Sequence, residues 1–192
     1  MPPIIISHRG NLSGKGSAEN SPQTILRARR EGYHVEIDVR KGSDGKLWLG
    51  HDSWDYMFDT SLLKWQGSYV WVHCKDVEAV EILLSKRFNG STPHMFAHST
   101  DRFVLTSDGY IWVFPGQSLG TGVRSIAVLP ENVRYSLYDL STCYGICTDY
   151  PAKMAQFMKD YDESSSDTGR ALADVQADYQ EFLDVIQSVQ RS

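Results

Sequence analysis

Side chains capable of acid–base chemistry and ion binding gather where the first four predicted strands end. The residues concerned are His8 and Arg9, Glu36 and Asp38, His51, and His73 and Lys75. Because successive strand residues point to opposite faces, Glu36 and Asp38 share one face, as do His73 and Lys75. We expect these side chains to converge on one site if the strands lie side by side.

These residue types suit phosphate chemistry assisted by a metal ion. Two carboxylates on one strand face repel each other unless a cation lies between them, so Glu36 and Asp38 predict a divalent metal site. Two imidazoles can act as an acid and a base on either side of a reacting group, a role that suits His8 and His51. The two basic side chains of the set supply fixed positive charge, which suits a phosphate.

The elements that would position these residues are short apolar runs separated by helical patterns or turns. Strand-like runs occur at 4–6, 33–39, 47–49, 70–72, 95–97, 103–105, 110–113, 125–129 and 144–147. Helical patterns at 21–30 and 77–86 separate early strands, and Asp108 and Gly109 predict a hairpin turn. The series predicts βαβ units and, with about eight strands, a TIM-type (β/α) barrel whose C-terminal strand ends form the site.

The predicted barrel is abridged. A complete barrel usually takes about 250 residues, whereas this chain has 192. Helical patterns are missing between the later strands, so we expect reduced helices in the second half. The predicted organisation is a barrel at 1–161, followed by a linker and a C-terminal helix at 162–192.

The C-terminal segment predicts an amphipathic helix after a linker-like stretch at 162–170. Its apolar residues recur at alternating spacings of three and four, namely Leu172, Val175, Tyr179, Phe182, Ile186 and Val189. One interpretation is a helix that packs on its own barrel. The other is a helix that binds a partner or forms a homodimer, which could also use the barrel face left uncovered by the missing helices.

Composition excludes several functional classes. The formal net charge is −5, from 19 basic and 24 acidic residues, which argues against a general nucleic-acid binder. No apolar run approaches the roughly 20 residues of a membrane span. The cysteines, Cys74, Cys143 and Cys147, lack the spacing of metal pairs and are expected as free thiols, which suits a cytoplasmic protein.

The ordered motifs resemble those of the glycerophosphodiester phosphodiesterase family, among the phosphodiesterases similar to phosphatidylinositol-specific phospholipase C. The resemblance rests on His8-Arg9-Gly10, Glu19-Asn20, Glu36-x-Asp38, Asp44-Gly45 before His51-Asp52, and Thr148-Asp149-Tyr150-Pro151. These motifs span residues 8 to 151, which is most of the chain. The resemblance implies a (β/α) barrel that cleaves a small glycerophosphodiester to an alcohol and a phosphomonoester.

The resemblance also implies a role for each matched position. His8 and His51 would be the acid–base pair, and Arg9 and Lys75 would bind the phosphate. Glu36 and Asp38 would bind the metal, which is typically Mg²⁺ or Ca²⁺ in the family. The Glu19-Asn20 pair would support the site.

One position departs from the family pattern. Two residues before Lys75 the family usually has a carboxylate that binds the metal, and this chain has His73. Imidazole suits Mn²⁺, Fe²⁺ or Zn²⁺ better than Mg²⁺ or Ca²⁺. Either the ion differs, or His73 does not bind it directly.

Two further functions remain open at this stage, and so do two features of the site. The reaction could end at a cyclic phosphate, as in a lyase, or the barrel could bind a phosphorylated metabolite without turnover. His98 follows the fifth strand and lies either in the site or outside it. Trp112 and Phe114 form either an aromatic wall for the alcohol or part of the core, whereas His34 and His94 are expected to be structural.

Overall fold

The central feature of the computed structural model, which describes residues 2–86, 93–164 and 170–191, is a strongly curled sheet of ten strands. The strands are β1 Ile4–Ser7, β2 His34–Lys41, β3 Leu47–Leu49, β4 Tyr56–Met57, β5 Val70–Cys74, β6 His94–Phe96, β7 Phe103–Leu105, β8 Ile111–Val113, β9 Ser125–Val128 and β10 Gly145–Thr148. The helices are α1 Pro22–Arg30, α2 Ser61–Gln66, α3 Val77–Ser85, α4 Leu137–Ser141, α5 Pro151–Glu163 and α6 Leu172–Arg191.

Seven strands of this sheet run parallel, in the order β6-β5-β2-β1-β10-β9-β8. Parallel neighbours bring their C-terminal ends to one rim, which is where (β/α) barrels carry their sites. Helix α1 connects β1 to β2, α3 connects β5 to β6, and α4 lies between β9 and β10. In the described residues no helix separates β6 from β7 or β8 from β9. The predicted abridged barrel with reduced later helices is therefore confirmed.

The expectation that the third predicted strand joins the parallel series is wrong. Strand β3 runs antiparallel to the end of β2, with Val39 opposite Leu49 and Lys41 opposite Leu47. A stretch of only a few residues, with the turn at Gly42 and Gly45, can reverse the chain but cannot make the longer crossover that a parallel strand needs. The chain after β3 therefore runs back along β2, and the Gly50 backbone N–H donates to the Asp38 carbonyl at 3.1 Å.

The curled sheet does not close through a continuous strand ladder. At one end is β6, and at the other is β7, which pairs antiparallel with β8 around the predicted hairpin turn. The two ends meet at two hydrogen bonds, from Ser107 N to Met95 O (2.7 Å) and from Met95 N to Ser107 Oγ (3.0 Å). The hairpin thus takes the place of the strand and helix that a full barrel would have here.

Apolar side chains fill three clusters, one inside the curl and two between the sheet and its helices. The inner cluster contains Ile6, Trp71, Phe96, Trp112 and Ile126. One outer cluster lies under the early helices and the other under the late ones. All three cysteines are buried and unpaired, and no described helix is both long and apolar enough to cross a membrane.

The C-terminal helix α6 is present and packs on its own barrel. Val175, Tyr179 and Leu183 are buried in the late outer cluster, whereas Leu172 and Val189, the ends of the predicted stripe, are 49% and 68% exposed. A straight α-helix has 3.6 residues per turn, so residues in a seven-residue repeat shift gradually around its surface. The residues that stay against the barrel are therefore spaced by four, as Val175, Tyr179 and Leu183 are. The predicted linker at 162–170 lies partly outside the described residues, and α5 extends into it to Glu163.

Two substitutions at Tyr179 test this packing. The Tyr179 hydroxyl is buried and has no hydrogen-bond partner among the described residues. We therefore expect Tyr179→Phe to leave the free energy of unfolding unchanged or to raise it by about 1 kcal/mol. Tyr179→Ala should lower it by about 3–5 kcal/mol, because it empties a packed site. Urea unfolding compares the two variants, and equal stability would contradict the packing of α6.

Candidate functional site

The C-terminal strand ends surround a cavity of about 370 Å³. Six of the nine predicted site residues line it, namely His8, Arg9, Glu36, His51, His73 and Lys75. Asp38 lies beneath the cavity and is fully buried. Glu19 and Asn20 lie behind it and bond to Arg9 and Asp38. The structure thus brings the predicted residues to one place, while their chemical roles remain predictions.

A tight turn at the end of β1 delivers His8 and Arg9 to the cavity. Arg9 and Gly10 both have left-handed backbone angles, with φ of 53° and 79°. A Cβ atom at Gly10 would lie 2.8 Å from Thr24 Oγ1, so a side chain does not fit there. The turn points the Arg9 backbone N–H at Glu36, where it donates to Oε2 at 3.1 Å.

Glu36, Asp38 and His73 form a buried group whose potential ligand atoms lie within 4.8 Å of one another. The sheet register explains this, because β2 and β5 are parallel neighbours with Asp38 opposite His73. His73 Nδ1 lies 3.0 Å from Asp38 Oδ1 and 4.0 Å from Glu36 Oε1. Asp38 Oδ1 makes no contact with hydrogen-bond geometry in the described residues. Carboxylate oxygens and an imidazole nitrogen this close together suit a shared cation, so the donor set fits a divalent metal.

The pKa values of the two carboxyl groups in this cluster are shifted in opposite directions. Burial raises the pKa of Glu36, and the charge on Asp38 raises it further. Burial also acts to raise the pKa of Asp38, but His73, Arg9 and Lys75 outweigh it and hold that pKa below its ordinary value. Burial lowers the pKa of His73. All three groups can bind a cation together when the imidazole is neutral and both carboxyl groups are ionised.

The predicted phosphate and supporting residues are bound to this cluster. Arg9 Nε lies 3.0 Å from Asp38 Oδ2, its Nη1 donates to Glu19 Oε2 at 3.1 Å, and Lys75 Nζ is 3.7 Å from Asp38 Oδ1. Asn20 donates to Asp38 Oδ2 and accepts from the Asp38 backbone N–H. Glu19 therefore orients Arg9, and Asn20 fixes Asp38.

His8 is held by a carboxylate from the last strand. Its Nδ1 lies 2.7 Å from Asp149 Oδ1, while its Nε2 is 4.0 Å from Glu36 Oε2. Burial alone would lower the pKa of His8, but the hydrogen bond to Asp149 and the nearby Glu36 carboxyl outweigh it and raise that pKa. Asn11 donates to Asp149 and Glu19 at 2.8 Å each. This arrangement leaves His8 Nε2 as the ring nitrogen on the carboxyl-cluster side.

His51 enters the cavity from the loop after β3 and is partly exposed. Its Nδ1 pairs with Asp52 Oδ1 at 2.8 Å. Arg40, on β2, donates to the backbone carbonyls of Gly50 and His51 and so fixes the loop. Gly50 has a φ of 146°, and a Cβ there would lie 2.3 Å from Ser53 O. The sharp bend at Gly50 lets His51 reach the same cavity as His8.

The opposite wall of the cavity is largely apolar and aromatic. Besides His98 and Ser99, it is formed by Trp112, Phe114, Pro115, Val128 and Leu129. The His98 ring stacks on His73 with centroids 4.4 Å apart and lies against Phe114 at 4.1 Å. Burial, with the nearby His73 and Lys75, lowers the pKa of His98 to about 4. His98, Trp112 and Phe114 thus lie in the site, whereas His34 and His94 pack around Trp71 at the strand starts.

Three polar residues behind the site were not assigned a role from the sequence. Asn11 follows the β1 turn, and Asp149 follows β10 within the motif Thr148-Asp149-Tyr150-Pro151. Glu131 follows β9 and is fully buried. Their position after strands was the available signal. Contacts such as that between His8 and Asp149, 141 residues apart, leave no local pattern in the sequence.

Burial of Glu131 predicts a pH dependence of stability. Burial raises the pKa of this carboxyl group from its ordinary value of 4.5 to about 7. The folded chain therefore holds a proton that the unfolded chain has released, and stability falls as the pH rises through this window. Glu131→Gln cannot ionise. We therefore expect the difference in unfolding free energy, variant minus natural chain, to increase by up to about 3 kcal/mol from pH 5 to pH 8.

Urea unfolding of both proteins at the two pH values measures this difference. Glu131→Gln keeps an oxygen acceptor at the same place, so a change in the difference reports ionisation. A difference that does not vary with pH would contradict the raised pKa of Glu131.

Comparison with known proteins identifies structures that share this fold. Protein-family models and curated proteins gave no match. Solved structures do match, two of them phosphodiesterases. A glycerophosphodiester phosphodiesterase from Agrobacterium tumefaciens str. C58 has a TM-score of 0.51 and 14% identity, over 80% of this chain and 99% of that one. A glycerophosphoryl diester phosphodiesterase from Parabacteroides distasonis ATCC 8503 has a TM-score of 0.57 and 13% identity, over 91% and 90%. The chain therefore has the fold of these glycerophosphodiester phosphodiesterases.

Proposed function

We propose that this chain is a metal-dependent phosphodiesterase that cleaves a small glycerophosphodiester-like substrate. The observation that supports this most directly is the buried group of Glu36, Asp38 and His73 beside a cavity that two further histidines also line. Buried carboxyl groups on one strand are costly unless a cation or a hydrogen-bond network compensates them. The shared fold of two phosphodiesterases raises the same proposal independently.

Glu36, Asp38 and His73 would hold the metal. When bound, a divalent ion supplies Lewis-acid stabilisation of negative charge on a phosphate. Oxygen ligands suit Mg²⁺ or Ca²⁺, whereas the imidazole favours Mn²⁺ or another transition metal. The neutral form of His73, which its lowered pKa favours, is the form that binds metals.

The basic residues bind and orient the phosphate. Arg9 and Lys75 line the same cavity as Glu36. The guanidinium of Arg9 is fixed between Glu19 and Asp38, so it presents its charge without reorganisation. Extra negative charge in the transition state would meet these two cations.

The two histidines move protons. His8 is oriented by Asp149 through Nδ1, so its Nε2 is the atom that faces the reacting group. His51, from the opposite loop, supplies the second imidazole of the cavity. One ring accepts the proton of the nucleophile, and the other protonates the leaving alkoxide. The nucleophile is water or a neighbouring hydroxyl of the substrate.

Alanine substitutions test this assignment. We expect His8→Ala and His51→Ala each to lower kcat/KM on a glycerophosphodiester by about 10²–10⁴-fold, because each removes a proton-transfer group. His34→Gln is a matched control, since His34 lies at the start of β2 and outside the cavity. Assays contain Mg²⁺, Ca²⁺, Mn²⁺ or Zn²⁺, and thermal unfolding confirms that each variant folds.

Phosphorus NMR of the products completes the experiment. A phosphomonoester supports hydrolysis, and a cyclic phosphate as final product would instead show the lyase reaction. Substrate binding without product under every ion would show a binding barrel. Near-natural rates in either histidine variant would contradict the acid–base roles.

Metal binding itself gives a separate prediction. We expect Glu36→Gln and Asp38→Asn each to weaken binding of the preferred divalent ion by at least roughly 10–100-fold, because each removes a charged ligand from a buried site. His51→Ala is the control, because His51 lies in the cavity but outside the group of three. Isothermal titration of metal-free protein measures all three. Equal affinities in all variants would place the metal elsewhere.

A further inference from the structure

Glu131 is a fully buried carboxyl group that does not line the cavity. It lies in a single helical turn, 130–132, directly after β9. Leu129, just before the turn, adopts a left-handed backbone with φ of 45°, which is costly for a residue with a branched side chain. A strained turn around a buried carboxyl calls for a compensating interaction.

The carboxyl group of Glu131 bonds to the end of the last strand. Its Oε1 accepts from the Asp149 backbone N–H at 2.7 Å and from Thr148 Oγ1 at 3.0 Å. Its Oε2 is buried without a hydrogen-bond partner in the described part of the chain. An apolar side chain of similar size would avoid the cost of that empty oxygen, so stability alone does not explain a carboxyl here.

The Glu131 carboxyl group holds the backbone N–H of Asp149 and so fixes the position of that residue. Asp149 Oδ1 in turn accepts from His8 Nδ1 at 2.7 Å and from Asn11 at 2.8 Å. A hydrogen bond of this kind sets the orientation and tautomer of an imidazole. A shift of the backbone at residue 149 would therefore be passed on to the His8 ring.

We propose that Glu131 is a positioning residue for His8, acting through Asp149. It holds the Asp149 backbone so that the carboxylate of Asp149 meets His8 Nδ1 and turns Nε2 toward the cavity. The kinetic part of this inference rests on the proposed phosphodiesterase function. The positional part concerns the ring of His8 alone and stands independently of any substrate.

The C-terminal helix holds the same turn from outside. Gln187 of α6 donates to the Glu131 backbone carbonyl at 3.3 Å, and Gln190 donates to Asn132 Oδ1 at 2.7 Å. The turn thus lies between α6 and β10, with its carboxyl group directed at the strand. Removal of a bond on the helix side should leave the bond to Asp149 intact.

Three variants and one control test the proposal. Glu131→Met keeps the length of the side chain but removes the acceptor. Thr148→Val removes one of the two bonds to Oε1, together with the bond that Thr148 Oγ1 accepts from the Tyr150 backbone N–H. Glu131→Gln restores an oxygen acceptor. Gln190→Ala is the control, because it loosens the same turn without touching Asp149. Nitrogen-15 NMR of the histidine rings reports the tautomer and hydrogen bond of His8, and steady-state kinetics reports kcat and KM separately.

We expect Glu131→Met to change the His8 ring signals and to lower kcat by about 10–100-fold at nearly constant KM, as small misplacements of a catalytic group do. Thr148→Val should give a smaller loss, whereas Glu131→Gln and Gln190→Ala should stay within about threefold of the natural chain. Unchanged His8 signals and kcat in folded Glu131→Met would overturn the proposal.

The remaining outcomes also decide the question. If Glu131→Met does not fold, unchanged His8 signals in Thr148→Val would overturn the proposal, and changed signals would support it. If Gln190→Ala disturbs His8 as much as Thr148→Val does, the effect belongs to the turn as a whole and the proposal fails. If the natural chain shows no turnover, the proposed function fails, and the NMR comparison still decides the role of Glu131.

Discussion

The repulsion between two buried carboxyl groups, Glu36 and Asp38, is the constraint on which the site depends. They lie two residues apart on β2 and face the same way, so the fold cannot separate them. Moving such charges out of water costs several kcal/mol per ion unless partners compensate. The neighbouring structure supplies those partners in the form of Arg9, His73 and Lys75. A cation at the same place would complete the compensation.

This constraint also explains the unusual backbone near β1. The left-handed turn at Arg9 and Gly10 brings both a backbone N–H and a guanidinium to the carboxyl pair. Asn20, also left-handed at φ of 61°, bonds both the side chain and the backbone of Asp38. Two of the three non-glycine residues with a left-handed backbone in the described part of the chain, Arg9 and Asn20, therefore bond to this carboxyl pair.

The sequence predicts the parts of the site that strand periodicity controls. Alternation on β2 places Glu36 beside Asp38, and the ends of parallel strands meet at one rim, so the cluster was predictable from local pattern. Strand β3 was misjudged because an apolar triplet carries no mark of its direction. Glu131 carries no such mark, because its contacts with Thr148 and Asp149 follow from no spacing in the sequence.

The abridged half of the barrel divides the cavity into two chemically different walls. Strands β1, β2 and β5, backed by helices, carry the ionisable cluster. The facing wall offers Trp112, Phe114 and Val128 from β8, its end and β9. His98, which follows β6, completes it, and burial lowers the pKa of this imidazole to about 4. Charge is thus confined to one wall, and the field across the cavity favours an anion at that wall. The substrate proposed above would place its phosphate at the charged wall and its alcohol group against the apolar one.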